Sequence, residues 1–418
     1  MKKLLSALCT LALLAGCSSD DTSKKEDQPT TISRTVVVYM SGENSLYRAV
    51  PSDIEEMKQG SKNIGNDKAL IVYVDNALTS ELPWLARIKD GQITDSVSIK
   101  DMSISDKDAL ACNPEVMEDV LKYAFNKYPA NEYALTLWGH SFGWVIQDSL
   151  PYNRRCYGID NGTNGTSDEG YWINIPTLGK ILSKMPHMKY IFADCCNFQC
   201  LETLYELRNV ADYIIGSPAE IPGYGAPYHL VVPAMFEATT YYNSIIDKYY
   251  DYYLDLYKQY GQHMESVPLS AVKTSEMARV ASATGVALKA AQTNISDDYP
   301  DMTGMIHYYN NHLNSYLPEY NIFYDAGNFL KTYAPANDYD TWKKVLDSAV
   351  VKKRKAVSWQ TDKSWFTHYS DFEVTEENYS GVSMFVPQNP YTGYYMSYNA
   401  QIKQLSWYFA AALSDIGW

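Results

Sequence analysis

The amino-acid sequence predicts an α/β protein, a mostly parallel sheet flanked by helices with a helix-rich C-terminal extension. Three observations carry that expectation. Short apolar, β-branched runs recur at 35–40, 69–74, 133–138, 190–193 and 213–216, as strands covered on both faces require. Helix-compatible segments lie between them on short connections, which makes successive strands parallel with right-handed crossovers. Beyond about residue 235 the pattern changes to long, tyrosine-rich helical segments.

In chain order, Met1-Lys2-Lys3 and the apolar run 4–15 read as a secretory leader over residues 1–16, too short to span a bilayer. The run ends in Leu14-Ala15-Gly16-Cys17, which resembles a bacterial lipobox and makes Cys17 the lipidated new N-terminus. Residues 17–33 are polar without an apolar face and read as a flexible tether. Asp20-Asp21 is similar to surface-export signals of some Gram-negative lipoproteins, so the expected location is extracytoplasmic, lipid-anchored to a bacterial membrane, the outer membrane first.

Residues 34–235 form the expected core unit. Between the first two strands, 53–61 is helix-compatible, and 85–97 reads as a β-hairpin. Asn113-Pro114 opens a helix with Val116, Val120, Leu121 and Ala124 on one side. A further helix is expected over 198–208, after the fourth strand. Residues 148–171, rich in Asn, Gly and Asp and containing Arg154-Arg155, are the most loop-like interior stretch and the place where proteolytic nicking is expected. In the C-terminal region, 236–418, helices are expected at 241–260, 275–292 and 400–413, with a late strand at 381–387 packing on the core.

The composition excludes several classes. With 46% hydrophobic and 20% charged residues, 37 Tyr and 9 Trp, the chain is neither disordered nor a coiled coil. A net charge of −14 disfavours nucleic acid and anionic membrane surfaces as partners and suits cationic ones. Once Cys9 leaves with the leader and Cys17 carries lipid, Cys112, Cys156, Cys195, Cys196 and Cys200 remain. Five is odd, and no CxxC pair is present, so a free reactive thiol is expected rather than a metal site.

Ligands of open parallel sheets bind beyond the carboxyl ends of the strands. The third strand runs into Gly139-His140-Ser141, and the fourth into Asp194-Cys195-Cys196 with a helix expected next. If these strands are neighbours, an imidazole faces one of the two thiols. A helix N-terminus and the imidazole would both favour the thiolate that nucleophilic catalysis needs. Glu43, Asn44 and Asp75 lie on the same rim. Strand-end capping is their default role, and a subsite or a calcium site is the alternative. His187, His229, His263, His307, His312 and His368 have no nucleophile pattern beside them, and Trp84, Trp138, Trp144 and Trp172 read as core or pocket-wall aromatics.

Val36 to Met40, Leu135-Thr136-Leu137-Trp138-Gly139-His140-Ser141-Phe142-Gly143-Trp144 and Phe192-Ala193-Asp194-Cys195-Cys196 through Tyr205-Glu206-Leu207 resemble the clostripain family of cysteine peptidases. That family shares a clan with caspases, gingipains and legumains. The likeness is strongest over residues 33–230 and weaker from 270 on, where Tyr324-Asp325-Ala326-Gly327 still matches. The 56-residue gap from His140 to Cys196 is close to the caspase spacing.

The resemblance implies a caspase-like fold and a thiol peptidase without cofactor, its partners being peptide or protein substrates with basic residues. Counting back from Glu202, Tyr205, Glu206 and Leu207 makes Cys196 the nucleophile, with Cys195 replacing the family's usual Ala. His140 becomes the general acid/base, the backbone N–H groups of Ser141 and Cys196 the oxyanion hole, and Asp194 the acid that receives Arg or Lys at P1, with helix capping as its alternative. Ser141 stands where relatives usually carry Gly, which matters if that position needs a left-handed backbone. Arg154, Arg155 and Lys180 are implied processing points. The alternative function is a catalytically silent homologue that binds peptides or glycans at the surface.

Overall fold

The computed structural model describes residues 31–418 except 78–81, 105–109, 147–156, 161, 163–164, 169, 262–265, 296, 310–320, 357–358, 360–371 and 389–396. The leader, Cys17 and the tether up to residue 30 lie outside the described residues, as do Arg154, Arg155, Cys156, His263, His312 and His368. Thr31–Trp418 is one compact unit.

The strands are β1 (Ile32–Gly42), β2 (Lys68–Asn76), β3 (Trp84–Lys89), β4 (Gln92–Ser98), β5 (Ala130–Trp138), β6 (Tyr157–Asp160), β7 (Tyr171–Ile173), β8 (Met188–Asp194), β9 (Ala211–Gly216), β10 (Leu269–Lys273), β11 (Tyr324–Asp325), β12 (Val350–Arg354) and β13 (Ser383–Met384). Among the described residues, nine of them form one sheet in the order β12-β10-β9-β8-β5-β1-β2-β3-β4. From β9 through β2 every pairing is parallel. The two antiparallel additions are the hairpin β3–β4 at one edge and β10–β12 at the other. The expected hairpin is therefore present, and the region after residue 235 supplies two strands of the main sheet as well as helices.

Alternate side chains of β1 enter opposite cores, which is the period of a strand covered on both faces. Val37 and Tyr39 join the cluster built with α2 (Pro114–Lys127), α3 (Ile175–Leu182), α4 (Leu201–Glu206), α7 (Met277–Ala291), α8 (Ala326–Tyr333) and α9 (Ala336–Ala349). Val36, Val38 and Met40 join the other, built with α1 (Ala49–Ser61), α5 (Tyr228–Met235) and α6 (Tyr241–Tyr260). Helix α2 starts as its sequence dictates: the Asn113 side chain accepts from the backbone N–H of Glu115 and Val116, and Pro114 takes the first turn.

Three expectations are corrected. The helix expected over 198–208 begins only at Leu201. Asn197 is left-handed at φ 53°, and the N–H groups of Asn197 and Gln199 donate to the carbonyls of Ala219 and Ser217, so these residues bond to the loop after β9 instead of starting a helix. The strand expected over 381–387 pairs with β11 only at Ser383–Met384. The closing helix over 400–413 is instead α10 (Tyr398–Gln401) and α11 (Ser406–Ala410), separated by a short 3-10 turn and by extended Leu405, and ended near left-handed Ala412.

The C-terminal region clamps the segment between β8 and α4. Ser383 N–H donates to the Gln199 carbonyl, Phe385 N–H donates to Glu202 Oε1 at 2.8 Å, and Gln199 Nε2–H donates to the Ser270 carbonyl at 2.9 Å. Leu135 lies in mid-sheet, fully buried, whereas Val286 on α7 is 62% exposed. Leu135→Ala is expected to cost about 2–5 kcal/mol by loss of burial and cavity formation, and Val286→Ala to stay within about 0.5 kcal/mol. Urea unfolding measures both, and equal effects would contradict the assignment of β5 to the middle of the core.

Candidate active site

Strands β5 and β8 are parallel neighbours, with Trp138 directly opposite Asp194. His140 and Cys196 each stand two residues past that last pair, so one register delivers both to one edge. The chain leaves β5 through Gly139, at φ +142°, where a Cβ would lie 3.0 Å from the Ser41 carbonyl oxygen.

His140, Cys196 and Glu220 line two hollows in common. One, of ≈ 270 Å³, also has Trp138, Asp194 and Gly225 in its walls. The other, of ≈ 290 Å³, has Ser141, Asp168, Trp172 and Tyr309. Cys196 is half-buried, and its sulfur accepts from the Ile221 N–H at 3.4 Å. Cys195 is fully buried and absent from both hollows, and burial pushes its thiol well up. The two adjacent cysteines thus face different surroundings. The expected boost to Cys196 from a helix N-terminus is absent, because α4 starts five residues later.

Asp194 is 3% exposed and does not cap the following helix. Its Oδ2 accepts from the Ala226 N–H at 3.0 Å and the Tyr228 hydroxyl at 2.8 Å, and its Oδ1 from the Tyr249 hydroxyl at 3.1 Å. Burial pushes the carboxyl up and these donors pull it back, leaving it at about 6. Gly225 approaches so closely that a Cβ would sit 2.8 Å from Asp194 Oδ2, at a φ of +63° that also favours glycine. Beneath the same wall, Trp138 Nε1–H donates to Asp53 Oδ2 at 2.6 Å. Burial, and then the neighbouring Asp194, push Asp53 up to about 9.

Ser141 does not occupy the left-handed region; that role falls to Gly139 and Gly143. The replacement of glycine therefore costs no backbone strain. Ser141 Oγ accepts from the Gly143 N–H at 3.2 Å. The imidazole of His140 is 24% exposed and lies 3.2 Å from Asp168 Oδ1 through Nε2, with Ser45 Oγ at 3.0 Å from the same nitrogen.

The rim acids divide. The Asn44 side chain caps the turn that follows β1, accepting from the Leu46 N–H at 2.9 Å. Glu43, Asp75 and Asp160 form a buried trio whose carboxylate oxygens lie within 4.8 Å of one another, the group among the described residues that could hold a metal ion. Burial, and for Asp75 the facing Asp160, push the carboxyls of Asp75 and Asp160 up. His187 pairs with Asp212, His229 with Glu56, and His307 bonds the Met305 carbonyl, all away from the cleft. Lys180 lies on α3. Sequence reasoning missed Ser45, Asp53, Asp168, Glu220, Tyr228 and Tyr249, each of which reaches the site from a segment with no motif of its own.

Comparison with known proteins bears on this arrangement. The clostripain family, peptidase C11, matches residues 38–417. The chain belongs to the clostripain family of cysteine peptidases. It is 23% identical over 238 residues to the clostripain of Hathewaya histolytica, a match covering 50% of this chain and 45% of that one, so it spans less than half of that relative's length. A solved structure of a secreted C11 cysteine protease from Bacteroides thetaiotaomicron, in complex with an irreversible peptide inhibitor, is 28% identical, with a TM-score of 0.72, covering 92% of this chain and 99% of that one. An inactive zymogen C11 protease from Parabacteroides distasonis is 26% identical, with a TM-score of 0.70 and coverages of 92% and 99%. The clostripain-family match reaches the last turn of the chain, so the C-terminal region belongs to the family unit.

Asp53 allows a check of the buried acid beneath Trp138. Its folded value of about 9 lies above the ordinary 3.8, so its contribution to stability is complete below about pH 4 and is lost as the pH rises through about 9. Asp53→Asn keeps an acceptor for the Trp138 N–H and removes the charge. The advantage of the variant over the parent in thermal unfolding is expected to grow from pH 5 to pH 9; a constant difference at both would refute the buried-acid reading.

Proposed function

We propose that this chain is a cysteine endopeptidase that cleaves peptide bonds after Arg or Lys, with Cys196 as nucleophile, His140 as general acid/base and Asp194 receiving the P1 side chain. The observation that carries the reading is the shared cleft: Cys196 and His140 line both hollows, and Asp194 lies in the wall of one. A buried carboxylate is the partner a guanidinium or ammonium needs, and binding that cation would favour the ionised form of Asp194.

The chemistry is acyl transfer. Cys196 Sγ attacks the scissile carbonyl carbon, and the oxyanion is met by the backbone N–H groups of Ser141 and Cys196. Collapse breaks the C–N bond, the amine leaves with a proton from His140, and a thioester remains. Water, giving its proton to His140, then hydrolyses the thioester and restores the thiol. No metal takes part in these steps.

Lipid attachment at Cys17 belongs to the same reading and places the enzyme outside the cytoplasm on a bacterial membrane, supported by the Leu14-Ala15-Gly16-Cys17 pattern. So does activation by cleavage at Arg154 or Arg155, in the loop-like stretch after the histidine.

Cys196→Ala is expected to abolish hydrolysis of Lys- and Arg-P1 fluorogenic peptides and labelling by an acyloxymethyl-ketone peptide, whereas Cys195→Ala retains both. Full activity of the first variant removes the nucleophile assignment. For specificity, Asp194→Asn is expected to lower kcat/KM for basic P1 residues roughly 10²-fold, the equivalent of about 3 kcal/mol for a lost charged hydrogen bond. An equal loss on neutral-P1 peptides would show that Asp194 acts on the fold rather than on the substrate.

A further inference from the structure

Two segments that carry no catalytic motif converge on one atom of His140. The end of β1 brings Ser45, in a turn capped by Asn44, and the connection between β6 and β7 brings Asp168. Asp168 Oδ1 lies 3.2 Å from His140 Nε2 and accepts from the Ser45 backbone N–H at 3.0 Å, while Ser45 Oγ lies 3.0 Å from the same ring nitrogen.

We propose that Asp168, with Ser45, is a positioning residue for His140 that holds its Nε2 protonated and leaves Nδ1 as the nitrogen that exchanges a proton with Cys196. The inference rests on the assignment of Cys196 and His140 given above. Its logic is the donor inventory. An ionised carboxylate only accepts, so the nitrogen facing it is the one that carries hydrogen. In neutral imidazole the other nitrogen then presents its lone pair, and that is the nitrogen able to take the thiol proton. Once protonated, the ring is a cation beside an anion, which stabilises the charged partner of a thiolate. Burial pushes the Asp168 carboxyl up, but His140 and the Ser45 donors outweigh it and hold it down at about 2, so the acceptor is ionised throughout the working range.

Asp168 itself is 48% exposed, and an exposed ion pair is by itself weak. What separates this one from a chance surface pair is how the segment carrying it is anchored. Gly158 N–H donates to the His140 carbonyl at 2.8 Å. The Ile159 carbonyl accepts from Ser41 Oγ at 3.1 Å and from Asn44 Nδ2 at 2.9 Å. The Tyr157 hydroxyl bonds the carbonyls of Tyr39 and Trp138 at 3.1 and 3.2 Å. The hairpin is therefore tied to the same two strand ends that present Ser45 and His140. Asp168 also lines the hollow that holds His140, Ser141 and Cys196, where it stands clear of Asp194 in the other hollow.

The test is the pH profile of kcat/KM on a Lys-P1 peptide for Asp168→Asn, Asp168→Glu and Ser45→Ala, with the melting temperature of each recorded. Asp168→Asn is expected to lose about 10- to 100-fold, by analogy with the loss of a carboxylate partner from a metal-bound histidine, mostly in kcat. Its alkaline limb is expected to differ from the parent's, because the carboxylate acts on the charged form of the ring and not on the neutral one. Asp168→Glu should restore part of the rate and the position of the limb. Ser45→Ala keeps the backbone N–H used by Asp168 and should lose less, with the limb in place; it also serves if the first variant fails to fold. A loss that is uniform across pH, or an Asp168→Asn variant with the parent's rate and profile, overturns the proposal. If Cys196→Ala and His140→Ala also kept activity, the peptidase assignment would fall with it; if both were inactive, only the role of Asp168 would be lost.

Discussion

The parallel pairing of β5 with β8 is the constraint on which the site depends. Backbone hydrogen bonds set Trp138 against Asp194, and the residues two places further along, His140 and Cys196, inherit that alignment. The register resists slippage because both faces of these strands are buried. Leu135 and Leu137 enter one core, while Ala134 and Trp138 enter the other, and a shift by one residue would exchange them wholesale. Burial of the sheet therefore positions His140 and Cys196, although neither residue contributes much to that burial.

Beyond the strand ends the geometry is carried by loops held from several sides. Gly139 and Gly143 supply the positive φ that the turn around His140 needs, while the β6–β7 hairpin bonds back to the same turn. On the other side, Asn197 and Gln199 are engaged by the loop after β9, and Gln199 and Glu202 are held by the C-terminal region through Ser383, Ser270 and Phe385. The distant half of the chain thus stabilises the segment that follows Cys196, and it also places Tyr309 in the wall of one hollow.

Acid groups crowd this edge, and their surroundings set each one apart. Asp168, beside an imidazole and at the surface, stays ionised. Asp194, buried but given three hydrogen bonds, is held at about 6. Burial pushes the carboxyls of Asp53, Asp75 and Asp160 up. Similar side chains therefore carry quite different charge within one rim, and the difference follows from hydration and hydrogen bonding.

The parallel strands of the central sheet, the hairpin, the helix at Asn113-Pro114 and the strand-end placement of His140 and the two cysteines were legible in the sequence, because apolar periodicity and strand-end placement are local properties. Motif counting alone separated Cys196 from Cys195 in the sequence; in the fold the two differ in burial, Cys195 being fully buried and Cys196 half-buried. Local pattern could not foresee that the segment after Cys196 would delay its helix, since its N–H groups go to Ser217 and Ala219 across the sheet. Nor could it find Asp168, Tyr228 or Tyr249, which stand outside the motifs in sequence, or Ser45, which lies close to one; all four meet the site only after folding. Residue order by itself determined that His140 and Cys196 follow the ends of two strands. Only the packed chain decided what surrounds them, because hydrogen-bond partners and desolvation are set by segments brought together from opposite ends of the molecule.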